Sequence, residues 1–253
     1  MQLSGTAKPP VGVLFDSSFA QTIDSVLALA LLHGYTGKTQ SRVAALTISY
    51  PSLQAAELCD VIEKFYTSAK PDAPNGYMQA PAIGAPEAKG KPVVAPAIAH
   101  VLGMKDATDK ALWSPRIRAW SDTAVPETLL RNALDAQQDG AAVMAMDGPA
   151  TNLARLLSLE GGKALIAAKV KLLVIAGGEF PEGKPEANFT ADLPAIKQVL
   201  SEWPTPVTLC GREIGNQLLF PASCIDHDFA YVPVHPVAEA YRAFHAMPYD
   251  APT

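Results

Sequence analysis

Charge is scarce in this chain, and positive charge more so. Of 253 residues, 18% are charged, with 25 acidic side chains against 20 basic ones and a net charge of −5. A chain without a positive field cannot neutralise phosphates, which excludes a nucleic-acid clamp and a polybasic binder of membrane surfaces. No apolar run approaches the roughly 20 residues needed to span a bilayer. Met1–Pro10 is short and polar and lacks the apolar stretch of a secretory signal. That fits a cytoplasmic protein, or a periplasmic one whose signal has been removed. The three cysteines, Cys59, Cys210 and Cys224, are far apart and odd in number, so no full disulfide framework closes. No C-x-x-C pair exists, which argues against a zinc-thiolate site, and the thiols read as small buried hydrophobes. Repeats, low-complexity tracts and a G-x-G-x-x-G dinucleotide fingerprint are missing too.

What is abundant is apolar sequence. At 49% hydrophobic residues the chain is not disordered, and one domain of this size hides roughly 70–75% of its unfolded surface. Val11–Phe15 is a continuous apolar run ending in Asp16, the pattern of a strand buried on both faces of a parallel sheet. Thr22–His33 follows with apolar residues at helical spacing, and Gly34 offers a helix stop. Val43–Ile48 reads as a second strand and Leu53–Phe65 as a second helix. Residues 69–99, rich in Pro, Ala and Gly, form a long irregular excursion. Beyond it, strands are expected at Ala141–Met146, Val170–Ile175 and Pro206–Cys210. Helices are expected at Val125–Gln137, from Thr151 to Leu157, at Leu193–Trp203 and at Val237–Phe244. Alternating strands and helices predict a single α/β domain over residues 1–253, with a mostly parallel sheet and helices on both faces. Asp16, Asp147, Gly177-Gly178 and Gly211 all fall just after strands. In open α/β sheets ligands bind beyond the carboxyl ends of the strands, so these loops should surround one cleft.

One segment carries more than a fold. Val13-Leu-Phe-Asp16-Ser-Ser18-Phe-Ala-Gln-Thr22-Ile-Asp24-Ser25-Val-Leu-Ala-Leu29 resembles the opening motif of the inosine/uridine-preferring nucleoside hydrolases. A common bacterial version of that motif, D-T-D-M-G-N-D-V-D-D-A-L-A-L, aligns without a gap. Gly148-Pro-Ala-Thr-Asn152-Leu-Ala154 is similar to the family's G-P-L-T-N-L-A. Gly177-Gly178 followed by Glu186-Ala-Asn188-Phe-Thr-Ala-Asp192 is similar to its G-G…E-F/Y-N…D segment. Trp203-Pro-Thr-Pro206 with Gly211 and Glu213-Ile-Gly215, and then His235-Pro-Val-Ala-Glu-Ala-Tyr241, continue the likeness in order.

The resemblance implies a nucleoside hydrolase-like, Rossmann-like domain that hydrolyses the N-glycosidic bond of a ribonucleoside or related ribosyl compound. It implies a calcium ion held by motif aspartates, with the third motif position serving also as the general base. Such an ion takes six to eight oxygens and lowers the pKa of a bound water. A carboxylate removes the proton, and the water attacks the anomeric carbon with oxocarbenium character. Carried over residue by residue, Asp16 and Asp24 fall at metal positions. Asp147 falls where the family uses a backbone carbonyl as ligand, and its side chain can add charge to the same cleft. Glu186, Asn188 and Ser49 fall at sugar-binding positions. In the same terms the implied partner is a small ribosyl ligand, with no nucleic acid and no membrane, and family members commonly form homo-oligomers.

Several positions depart from the pattern. Ser18 stands at the base position, Ser25 replaces a metal aspartate and Thr22 another aspartate. A serine hydroxyl is neutral and a poor proton acceptor without its own base, and losing a general base costs roughly 10²–10⁴ in rate. Gly183-Lys184-Pro185 replaces an expected asparagine, and Ala187 an aromatic. His227-Asp228-Phe-Ala230 only superficially matches the family's H-D-P-L-A box, and the Trp-Asp expected soon after Pro252-Thr253 is not in the sequence. The resemblance thus implies a hydrolase with an impaired metal site. The alternatives are a non-catalytic pseudo-hydrolase that binds a ribosyl ligand or acts as a subunit, and, more remotely, an unrelated α/β sugar-binding module. His33, His100, His235 and His245, and Arg116 and Arg118 with Trp113 and Trp120, read as structural.

Overall fold

A computed structural model describes residues 11–19, 21–68, 80–87, 95–181 and 183–245. Its frame is a six-stranded sheet, every pairing parallel, in the order β3-β2-β1-β4-β5-β6. The strands are β1 (Gly12–Ser17), β2 (Arg42–Ile48), β3 (Ile83–Gly84), β4 (Ala142–Asp147), β5 (Val170–Ala176) and β6 (Val207–Cys210). All six residues of β1 are buried, as the unbroken apolar run requires of a central strand covered on both faces. β6, at the edge, is only partly buried. Successive side chains of β1 face opposite layers. Phe15 enters a core with Phe19, Val26, Leu29, Leu58, Ile62, Ile98 and Tyr241, while Leu14 enters one with Leu130, Leu134, Met144, Leu153 and Leu173.

The first core is covered by α1 (Ile23–Gly37), α2 (Leu53–Ser68), α3 (Pro96–Gly103) and a late helix, Pro236–Phe244. The second is covered by α4 (Pro126–Asp135), α5 (Thr151–Ser158), α6 (Gly162–Lys169) and the helix Leu193–Glu202. Three short helices complete the chain order. α7 (Ala187–Ala191) precedes Leu193–Glu202, which is α8. Then come α9 (Arg212–Gly215), α10 (Cys224–His227) and α11, the Pro236–Phe244 helix. The α/β class, the parallel sheet and the two helical layers therefore agree with the sequence pattern.

Differences from the pattern have physical causes. The first helix runs through Gly34 to Gly37, because Thr36 is buried and nothing local forces Gly34 out of helical geometry. The stretch 69–99 contains the two-residue β3 and the start of α3; residues 69–79 and 88–94 lie outside the described ones. β3 and α6 are too short for a periodicity to register. Among the described residues no helix is long and apolar enough to cross a membrane. The three cysteines are free, with Cys59 buried.

Candidate functional site

From β1 the chain winds outward to β2 and β3 on one side, and from β4 to β5 and β6 on the other. The switch point of the sheet is therefore the β1–β4 boundary, the kind of place beyond the strand ends where open α/β sheets bind ligands. Here Ser17 and Asp147, the last residues of β1 and β4, are register partners. Asp16 lies beside Thr47 of β2 in the same register. The chain folds back sharply after β4 at Gly148-Pro149. A Cβ on Gly148 would come within 2.7 Å of the Ser18 amide nitrogen and would overlap the Ser49 hydroxyl. Only glycine lets the loops after β1, β2 and β4 meet this closely.

Asp16 is fully buried. Its Oδ1 accepts from Thr47 Oγ1 at 2.5 Å and from Asn152 Nδ2 at 2.8 Å. Burial penalises the charged form and lifts the carboxyl to about 6, against these two hydrogen bonds, which lower it. Asn152, in the first turn of α5, also donates to the Ile48 carbonyl at 3.1 Å, so both amide hydrogens are used. Asp147 is raised further, to about 8. Burial is the main cause, and the negative charges of Asp16 and Asp24 add to it. The hydroxyl of Ser17 and the N–H of Ser18, both donating to the carboxylate, work the other way. The Ser17 hydroxyl in turn accepts from Phe19 N at 3.0 Å.

Other candidates sit differently. Asp24, in the first turn of α1, is exposed and acts on Asp147 as a through-space charge. Ser18 is buried, and its hydroxyl donates to the backbone carbonyl of Asp147 at 3.1 Å. The Ser25 hydroxyl donates to the Thr22 carbonyl at 3.2 Å. Ser49 is buried and packs on Gly148. Glu186 and Asn188 lie on the loop after β5. The Glu186 carboxylate accepts from the amides of Gly178, Asn188 and Phe189 at 2.9–3.2 Å, capping α7 and holding Gly178 at its left-handed φ of 81°. Asn188 Nδ2 donates to the Ala176 carbonyl at 2.9 Å. These two residues bond within the loop after β5, and among the described residues no hydrogen bond joins them to Asp16 or Asp147. Asp228 is exposed and bonds the Cys224 thiol, raising it.

Four buried oxygens around the pair have no hydrogen-bond partner among the described residues: Asp16 Oδ2, Asp147 Oδ1, Asn152 Oδ1 and Ser49 Oγ. Buried acceptors without partners cost roughly 1–3 kcal/mol each, so these four oxygens call for further donors or a cation. Calcium fits them poorly. The ion wants six to eight oxygens, several of them anionic, and the cluster offers only two carboxyl groups, those of Asp16 and the half-buried Asp147. The hydroxyls at the base and ligand positions are turned to carbonyls, one of them the Asp147 carbonyl itself. Among the described residues no group of three or more His, Cys, Asp or Glu could hold a metal ion.

Asn152 and Thr47 are the residues that reasoning from sequence did not single out as part of the site. Asn152 had a signal, its place in Gly148-Pro-Ala-Thr-Asn152; Thr47 had none beyond its position at a strand end.

No curated protein matches the sequence. The fold is similar to that of an inosine-uridine preferring nucleoside hydrolase from Bacillus anthracis, at 18% identity and a TM-score of 0.64, over 94% of this chain and 77% of that one. It is similar to the type III effector protein XopQ, solved with adenosine diphosphate ribose, at 15% identity and a TM-score of 0.65 over 93% of this chain and 65% of that one. It is also similar to a plant nucleoside hydrolase, PpNRh1, at 16% identity and a TM-score of 0.63, over 94% and 70%. The family model for inosine-uridine preferring nucleoside hydrolases matches residues 14–250. With that extent of match, the chain belongs to the inosine-uridine preferring nucleoside hydrolase family.

Proposed function

We propose that this protein binds a ribosyl compound, a ribonucleoside or a relative of one, in the crevice beyond β1, β2 and β4. Any hydrolysis of its N-glycosidic bond proceeds without the family's metal-held base. The observation that carries this reading is Ser18. It stands at the base position, is buried, and spends its hydroxyl proton on the Asp147 carbonyl. No His side chain bonds it, so it has no partner to take its proton. Without a general base the rate falls by roughly 10²–10⁴ relative to an intact site. The neighbouring Asp16, Asp147, Asn152 and Ser49 keep the polar crevice in which a sugar could be held. XopQ, which shares the fold, is recorded with a ribosyl ligand, and this supports the ligand class. The second reading, a pseudo-hydrolase that binds without turnover, is favoured by the same serine.

Turnover of p-nitrophenyl riboside by the wild type and by Ser18→Asp separates the two. Slow turnover in the wild type that rises in the variant supports the hydrolase reading. No turnover in either, with inosine still bound, supports the pseudo-hydrolase. No binding of inosine or riboside to the folded wild type would refute both.

A further inference from the structure

We propose a second ligand site on this chain: the groove between α4, α5 and α8 binds a small zwitterion, with its cationic end on the Glu127 carboxylate and its anionic end on the Arg155 guanidinium. The groove measures about 520 Å³, within the range of small-molecule sites. It lies in the helical layer over the second core, and none of its lining side chains bonds Asp16 or Asp147. The inference is therefore independent of the ribosyl reading.

The fold fixes the walls of this groove. Towards one end Thr151 Oγ1, at the start of α5, donates to Asp192 Oδ2 at 2.5 Å, and Asp192 Oδ1 accepts from the Ala195 amide at 3.1 Å to cap α8. Towards the other end Gln198 Nε2 donates to Ser158 Oγ at 3.1 Å, and the Ser158 hydroxyl donates in turn to the Ala154 carbonyl at 2.9 Å. The two helices are thus tied at points about two turns apart along α5. Between the ties each helix lines the groove with an alanine, Ala154 and Ala195, and these small side chains leave the space that larger ones would fill. A cavity with walls held at both ends needs little reorganisation to accept a ligand.

Two charged groups on the same groove are not engaged. Glu127, in the first turn of α4, has no hydrogen bond or ion pair among the described residues, and its Oε2 is shielded from water without a partner. The helix dipole accounts for a carboxylate in a first turn but puts no donor on that oxygen, and a shielded charged group left unmet costs more than a neutral one. Arg155 is exposed and likewise bonds nothing among the described residues. Its guanidinium presents donors in the fork that matches an anionic group such as a carboxylate. The two charges line one groove yet do not pair with each other. A ligand carrying both signs meets both and adds no net charge. A simple cation would leave Arg155 unmet, and a simple anion would leave Glu127 unmet and repel it.

Ligand-observed NMR titration of the whole chain with glycine and with γ-aminobutyrate, zwitterions of two lengths, tests this. Butylamine and butyrate serve as carriers of one charge each. The inference expects at least one of the zwitterions to bind, and both single-charge controls to bind at least about ten-fold more weakly, as the loss of one hydrogen bond to a charged group requires. Glu127→Gln and Arg155→Gln, each close in size to the residue it replaces, should each weaken the zwitterion by a similar factor. If one variant fails to fold, the other carries the test. Butylamine or butyrate binding as tightly as the zwitterion would reduce the site to a single charge and overturn the inference. Unchanged zwitterion affinity in a folded variant would place the ligand elsewhere and overturn it too, as would absence of binding of both zwitterions to the folded wild type.

Discussion

Replacing Asp147 with asparagine should make the protein less sensitive to rising pH, and the size of the effect can be worked out. The folded carboxyl titrates near 8, against 3.8 for the free side chain. Between those values the unfolded chain has lost the proton and the folded chain keeps it. Stability therefore falls as pH rises, by at most about 1.4 kcal/mol per pH unit for one group. Two other groups overlap the lower part of this window. Asp16, raised to about 6, adds a slope of the same sign below pH 6. His235, lowered to about 4 from 6.5, adds one of opposite sign between those values, so the two largely cancel. From pH 6.5 to pH 8 Asp147 stands alone among the three, and its contribution is at most about 2 kcal/mol. Partial solvent contact of the residue brings the value below that ceiling. Asparagine has the shape of the protonated acid and no proton to lose, so the difference in stability between variant and wild type should grow in favour of the variant across that interval. Urea denaturation at several pH values in a chelating buffer, with m unchanged, measures it. Parallel pH profiles for the two proteins between 6.5 and 8 would refute the reasoning. So would a wild-type profile that flattens on adding calcium, because an ion at the site would hold the carboxylate ionised.

Two further outcomes follow from neighbouring contacts. His235 is buried, accepts the Val237 amide on Nδ1 at 3.2 Å to cap α11, and meets the Tyr231 hydroxyl through Nε2 at 2.8 Å. The stability it confers is present above pH 6.5 and lost as pH falls through about 4, so the difference in stability between wild type and His235→Gln should shrink on acidification through that range. An unchanged difference, followed by circular dichroism, would count against a neutral capping imidazole. Gly148→Ala should push the loops after β1 and β2 apart, because the added Cβ would overlap the Ser49 hydroxyl and press on the Ser18 amide. A loss of roughly 1–3 kcal/mol together with loss of inosine binding is expected; a variant with wild-type melting and binding would show that the loops have room.

The sequence alone was enough for the class of fold and for the family. Each is written in local pattern: an unbroken apolar run for a strand covered on both faces, helical spacing for the layers, and motifs in order along the chain. Asp16, Ser18 and Asp147 were legible as strand-end residues for the same reason. The partnerships were not legible, because they cross the chain. Asp16 meets Asn152 over 136 residues, and Ser18 meets the Asp147 carbonyl over 129. Only the parallel register of β1 between β2 and β4 sets Asp16 beside Thr47 and Ser17 beside Asp147. Motif spacing cannot show that Glu186 and Asn188 hold their own loop, since that depends on where the chain turns after β5. Burial belongs to the tertiary structure as well. The same aspartate is an ordinary acid in a loop open to water, and in a crevice closed by packed strands it becomes a proton-holding group beside acceptors that still lack donors.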